Sequence, residues 1–121
     1  MATAFLAAYG DKDFDALADL LDESVELVHY NRPIAHSGKD EVLAMFRASA
    51  DPEGNFPDRR FAAPVRVLPK DDLVVIEHIW EATARRDVAA MNCRAGERVR
   101  LDLVTILTVR DGHIVKYEEY G

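Results

Sequence analysis

The sequence predicts an α+β domain with three N-terminal helices packed on a curved, mixed, mostly antiparallel sheet. Two observations carry that reading. Arg98 to Tyr120 reads as a long β-hairpin, VRLDLVTILTV followed by HIVKYEEY, turned at Arg110-Asp111-Gly112. A hairpin of that length is not stable alone in water and must curl over another layer. Upstream, FLAAYGDKDFDALADLL carries two short amphipathic helices that supply the layer. Helices first and a long curved sheet last describe a cone with a pocket inside.

The elements follow in order. Phe5, Leu6 and Tyr9 recur at helical spacing, and Gly10 ends that helix. Asp11 or Asp13 caps the next, which turns Phe14, Leu17, Leu20 and Leu21 inward. SVELVHY alternates as a strand, and NRPIAH is an irregular link because Pro33 cannot continue a ladder. Ser37-Gly38-Lys39-Asp40 has the form of a capping box opening a third helix, with Val42, Leu43, Met45 and Phe46 on its buried side. Asp51-Pro52-Glu53-Gly54 and Pro57 mark a loop. Phe61 to Leu68 is a strand whose Pro64 signals an edge or bulge, and Leu73 to Thr83 is a second. ARRDVAAMNCRAG between that strand and the hairpin reads as a loop with one helical turn.

Alternation assigns the faces. On LVVIEHIWEAT the inner set is Val74, Ile76, His78, Trp80 and Ala82, since the other set interleaves two glutamates. Leu101, Leu103, Thr105, Leu107 and Val109 form the inner face of the next strand. For the last strand, a two-residue Asp-Gly loop would turn Lys116, Glu118 and Tyr120 inward. A three-residue loop with Gly112 as a left-handed bulge pairs Val109 with His113 and turns Val115, Tyr117 and Glu119 inward. Burying an unpaired Lys116 is costly, so the bulged turn is preferred.

Bulk properties bound the function. The 121 residues make one domain, 1–121, able to bury roughly two-thirds of its unfolded surface. A net charge of −7 argues against nucleic acid as a partner. No apolar run approaches a membrane span and the start lacks a basic signal-peptide region, so a cytoplasmic protein is expected. Cys93 is the only cysteine, which excludes a disulfide framework or thiolate cluster, and it lies in a loop as a bystander. Neither a His-x-His nor an HExxH spacing occurs among the four histidines, so no metal is expected. His36 and His113 read as surface residues. A Gly-rich phosphate cradle is absent too, and no cofactor is expected.

Three stretches, FLAAYGDKDFDALADLLDESVELV, SGKDEVLAMF and VTILTVRDGHIVKYEEY, resemble the nuclear-transport-factor-2-like (SnoaL-like) superfamily of cone-shaped, cystatin-like α+β domains. The scaffold hosts isomerases, dehydratases, cyclases, epoxide hydrolases and non-enzymatic binders, so fold alone does not fix activity. Steroid isomerases of the group hold an oxyanion with a helix-one tyrosine and a protonated aspartic acid, and move the proton with a first-strand carboxylate. The corresponding positions here are Phe5, Thr105 and His29, and Phe5 has no donor to offer. Limonene epoxide hydrolases are similar along His29-Tyr30-Asn31-Arg32-Pro33 and along Tyr117-Glu118-Glu119-Tyr120. That likeness places Glu119 at the water-activating carboxylate, whereas His78-Ile79-Trp80 replaces the epoxide-protonating motif.

The resemblance implies a cofactor-free acid–base enzyme of hydrolase, cyclase or isomerase type, acting on a small, largely apolar molecule in the cone pocket. Glu119 or His29 would be the base, His78 the acid or oxyanion partner, and Asn31 the orienter of water or substrate. Trp80, Tyr117, Thr105 and Phe5 would line the substrate site. The alternative is a non-catalytic binding or interaction module on the same fold. The outer sheet face carries Val75, Ile79, Val104 and Ile106, rimmed by Arg98, Arg100, Asp102, Glu77 and Glu81, and predicts a homodimer built sheet to sheet.

Overall fold

The computed structural model describes residues 1–121. Two helices open the chain, α1 (Ala2–Gly10) and α2 (Phe14–Leu20). They are followed by β1 (Leu21–His29), β2 (Ile34–Ser37) and α3 (Lys39–Ser49). Five strands complete the chain: β3 (Arg60–Phe61), β4 (Arg66–Lys70), β5 (Leu73–Thr83), β6 (Arg98–Arg110) and β7 (His113–Tyr120). Only two helices therefore precede the sheet, because α3 follows a β1–β2 hairpin.

One mixed, unclosed sheet runs in the order β2-β1-β7-β6-β5-β3, with β4 also paired to β5. All pairings are antiparallel except β1 against β7, where Leu27 faces Tyr117 and His29 faces Glu119 in parallel register. That pairing brings the end of β1 beside the end of the chain, 90 residues later, and it assembles the site.

The core follows from the alternation. Phe5, Leu17, Val25, Val42, Ile76, Leu107 and Ile114 are fully buried, joining α1, α2 and α3 to the inner face of β1, β5, β6 and β7. Asp13 caps α2, its side chain accepting from the Ala16 N–H at 3.0 Å. The inner faces assigned from sequence hold on β5 and β6, where Ile76, His78, Ala82, Leu103, Thr105 and Leu107 are buried.

Four local expectations are corrected. Ile34–Ser37 is a strand, not a link, pairing Ile34 with His29; Pro33 lies in the preceding turn, where no ladder donor is needed. The capping box at Ser37 does not form: Gly38 is the N-cap at φ +89°, and Glu41 reaches back to accept from the Ser37 N–H. The strand expected from Phe61 to Leu68 divides into β3 and β4 around Pro64. The β6–β7 turn is a two-residue Asp111-Gly112 loop, both at positive φ, that pairs Arg110 with His113.

The last correction changes the reason and the placing of Val115, but not that of Tyr117 and Glu119. Val109 pairs with Ile114 and Thr108 with Lys116, leaving Val115 as an extra residue in β7. The bulge flips the alternation, so Ile114, not Val115, is buried ahead of it. Beyond it Tyr117 is buried and Glu119 turns inward. Burial of Lys116 is avoided by a bulge in the strand instead of one in the turn.

Candidate functional site

The inner face of the sheet and the helices line a half-open cavity of about 210 Å³. Its wall is mostly apolar, with Leu27, Phe46, Phe61, Trp80, Leu101 and Tyr117 among the lining residues. Glu119 is the only carboxylate on that wall, beside His29 and Arg32. Glu119 arrives there through the β7 bulge, and His29 through its position opposite Glu119 in the β1–β7 register.

Glu119 is built asymmetrically. Its Oε2 accepts from the Tyr117 hydroxyl at 2.6 Å and from Thr105 Oγ1 at 2.9 Å. Its Oε1 lies 3.5 Å from His29 Nε2 and receives no hydroxyl. Burial raises the carboxyl above the ordinary glutamate range, against the opposing pull of the Tyr117 and Thr105 hydroxyls and of Arg32. The group is thus a stronger base than an exposed glutamate, with one oxygen open to the cavity.

His29 is 5% exposed and surrounded by donors. Arg32 Nη1 stands 2.8 Å from Nε2, and the Asn31 backbone N–H points at Nδ1 from 3.3 Å. An imidazolium, with a proton on each nitrogen, would oppose both donors. Burial and then Arg32 hold its pKa below the ordinary value; a neutral ring accepts through one nitrogen only, and the shorter Arg32 contact makes that nitrogen Nε2, at the expense of the longer Asn31 approach to Nδ1. Of the two candidate bases, only Glu119 has a free acceptor.

His78 is 1% exposed and does not line the cavity; the Phe61 ring lies edge-on to it at 4.2 Å. Its Nε2 meets Thr105 Oγ1 at 2.7 Å. The single Thr105 proton goes to Glu119, so the threonine oxygen must accept from a His78 Nε2–H. Nδ1 is then a buried bare acceptor without a partner. Burial pushes His78 down to about 4, so it is neutral and acts on Glu119 only through Thr105. A direct acid role for His78 has no path to the cavity.

Trp80 and Tyr117 line the cavity, and Thr105 hydrogen-bonds Glu119 without lining it. Phe5 and Asn31 do not line it. Phe5 is fully buried beneath, its ring centroid 5.6 Å from that of Tyr117. Asn31 is exposed, and its Oδ1 accepts from the Gly121 N–H at 2.7 Å, tying the end of β7 to the β1–β2 turn. No group of three His, Cys, Asp or Glu side chains is placed to hold a metal ion.

Three residues on or beside the wall lay outside the sequence-based set. Arg32 sits in the β1–β2 turn and fixes the His29 tautomer. Tyr9, one turn after Phe5 on the same face of α1, presents a phenol to the cavity. Arg59 lies 3% exposed with its Cζ 3.8 Å from the centroid of the Tyr9 ring. Helical spacing marks Tyr9 as inward; nothing local separates Arg59 from the exposed Arg60.

Three helices on a mixed, unclosed sheet give an α+β fold of the nuclear-transport-factor-2-like class. Residues 2–117 match the SnoaL-like domain family, and the chain belongs to it. Among solved structures it is similar to a hypothetical protein with a ketosteroid isomerase-like fold from Catenulispora acidiphila, at 16% identity and a TM-score of 0.81, over 99% of this chain and 83% of that one. A proposed polyketide cyclase from Xanthomonas campestris pv. campestris gives 20% identity and a TM-score of 0.82, over 99% and 86%. An LEH-like epoxide hydrolase from M. tuberculosis gives 18% and 0.73, over 98% and 77%. Identities this low carry the fold alone. No curated protein matches the sequence.

Proposed function

We propose that this protein is an acid–base enzyme, working without a cofactor on a small, largely apolar molecule, with Glu119 as its base. The observation that carries the reading is a single buried carboxylate of raised basicity, one oxygen saturated by hydroxyls and the other facing an apolar cavity. Two fixed donors on Oε2 orient the group, and the apolar wall excludes water that would weaken it. Oε1 then takes a proton from carbon or from water. Those outcomes correspond to isomerisation or ring closure on one side and hydration or hydrolysis on the other. The cyclase and epoxide-hydrolase names borne by similar structures fit both outcomes.

Within this reading His29 and Arg32 shape the field beside Oε1, and Thr105, backed by His78, fixes Oε2. The decisive experiment is turnover of a panel of small epoxides and ketones. Glu119→Gln should lower kcat by about 10²–10⁴ for any substrate found. The acid limb of the wild-type rate profile should have its midpoint above the ordinary glutamate value, because the base must be ionised and its pKa is raised. Turnover untouched by Glu119→Gln, His29→Ala and His78→Ala together would end the reading.

The second reading is a small-molecule binder without chemistry, favoured by a wall with one carboxylate and few other polar groups. It predicts an apolar ligand retained through purification and detected by native mass spectrometry, with no turnover of any panel member. In either reading the proposed assembly is a homodimer through the outer sheet face, leaving the cavity on the opposite face free.

A further inference from the structure

Between the buried Ala50 and Arg59 the chain crosses the surface without helix or strand, and one side chain of this loop, Phe56, lines the cavity. Its ring rests edge-on against Trp80, the centroids 5.2 Å apart. Most of the remaining wall belongs to helices and strands, so moving Phe56 breaks no regular element. The loop is fastened to its surroundings mainly at the surface. Glu53 Oε2 meets Arg85 Nη2 at 2.8 Å, and the Glu53 carbonyl accepts from Arg85 Nη1 at 2.8 Å and from Arg86 Nη2 at 2.7 Å. The Asn55 carbonyl accepts from the Arg85 N–H at 2.8 Å, and the Pro57 carbonyl from Lys12 Nζ at 3.1 Å. Farther along, the Asp58 carboxylate accepts from the Thr83 N–H at 2.7 Å and from Arg98 at 3.2 Å. The Glu53 and Arg85 side chains are 79% and 41% exposed, and an ion pair so open to water holds weakly.

We propose that residues 51–58 form a flap over the cavity, with Phe56 as its inner surface and the Glu53–Arg85 pair as its latch. Lifting the flap takes Phe56 off Trp80 and opens the cavity behind it, so a ligand passes without the helices parting from the sheet. Asp58 serves as the hinge: its carboxylate is held at two points and the buried Arg59 follows it directly. Motion is therefore concentrated toward Glu53, where the fastening is charged and solvated. A latch of that kind opens readily and responds to ionic strength. Glu53 and Arg85 act only through the position of Phe56 and are positioning residues. Phe56 itself sets the width of the opening and with it the size of ligand admitted. A flap serves an enzyme and a binder equally, so the proposal does not depend on Glu119 being a base.

Trp80 is the only tryptophan of the chain and lies directly under the flap, so its fluorescence is the readout. The probe is acrylamide, a neutral quencher whose approach is not steered by charge, and the quenching rate constant is taken from fluorescence lifetimes. Raising the ionic strength to about 1 M, where charges are screened within about 3 Å, should speed quenching of the wild-type protein. Glu53→Ala and Arg85→Met should each raise the low-salt rate constant, by up to about fivefold, and remove most of the response to salt. The double variant should do no more than either single one, as two halves of one latch require. Phe56→Ala should quench faster still and ignore salt, because the flap then covers nothing. Arg66→Ala breaks an exposed ion pair with Glu77, at 2.9 Å on the outer sheet face, and should leave the quenching unchanged. Wild-type quenching indifferent to salt, a Glu53→Ala rate constant equal to wild type, or an equal rise in Arg66→Ala overturns the proposal.

Discussion

Glu119 keeps a charge where the fold would prefer none. Its neutral form is favoured by burial, so at neutral pH the ionised group costs stability that the two hydroxyls on Oε2 only partly recover. Glu119→Gln offers the same acceptor to Thr105 and Tyr117 without the charge. The melting temperature at pH 7 should rise by a few degrees, about 1 kcal/mol, even as activity is lost. A lower melting point would mean that the ionised carboxylate is a net stabiliser. His78 runs the opposite way along the pH axis. Its ordinary pKa of 6.5 falls to about 4 on folding, so the unfolded chain takes up a proton in that window that the folded chain refuses. Stability is complete above 6.5 and declines as pH falls through the window, by at most ~3 kcal/mol. His78→Gln keeps an N–H for Thr105 and should flatten the urea midpoint between pH 6.5 and pH 4; an unchanged slope would place the acid cost elsewhere. At this scale the sequence pattern placed His78, Thr105 and Tyr117 inward, because alternation is a local property. It could not tell a residue that faces the cavity from one buried behind its wall. Phe61 screening His78 and the Asn31 side chain turned to Gly121 are both long-range contacts.

The β7 bulge shows where element-level reasoning succeeds for an incomplete reason. Keeping Lys116 out of the core requires one extra residue somewhere in the hairpin, and energetics alone does not say where. The Asp111-Gly112 pair adopts positive φ at both positions, which suits a two-residue turn matched to strand twist, so the extra residue moves to Val115. That placement makes a length-parity test. Deleting Val115 alone removes the bulge but keeps Tyr117 opposite Leu107 and Glu119 opposite Thr105, so the variant should fold within about 2 kcal/mol of wild type. Deleting both Val115 and Lys116 shifts the strand by an odd count and turns Tyr117 and Glu119 outward, and that variant should not fold. Thermal melts followed by circular dichroism decide the matter: equal damage from both deletions would show that length, not face parity, governs β7. The strand at Ile34–Ser37 was hidden for a related reason. Pro33 spoils the local signal, while the partner edge on β1 that rescues pairing lies just upstream.

For the whole molecule, the helix–sheet layering was legible from the order of periodicities, since helices at 3.6 and strands at 2 leave few ways to bury both faces. The parallel β1–β7 pairing was not, because nothing local in either strand names a partner 90 residues away; placing His29 and Glu119 in one pocket rested on the resemblance alone. The proposed homodimer uses the outer face of the same sheet. Val75 pairs with Ile106 across β5 and β6, with Ile79 and Val104 nearby on the same face, and all four are half-buried in one chain. The charges around them are already matched within the chain: Arg66 with Glu77 at 2.9 Å, Arg60 with Glu81 at 3.0 Å, and Arg100 with Asp102 at 3.2 Å. A facing copy would meet an apolar stripe with a neutralised rim, which suits a two-fold contact. The net charge of −7 on each chain opposes association at long range, so the dimer should tighten as salt rises toward physiological strength and screens it. Light scattering at low micromolar protein should therefore give twice 13.6 kDa. Ile106→Asp should return that mass to a single chain while preserving the melt and the cavity chemistry, since Ile106 points away from Glu119. A monomer in the unaltered protein, or a dimer indifferent to Ile106→Asp, would remove this face from the assembly.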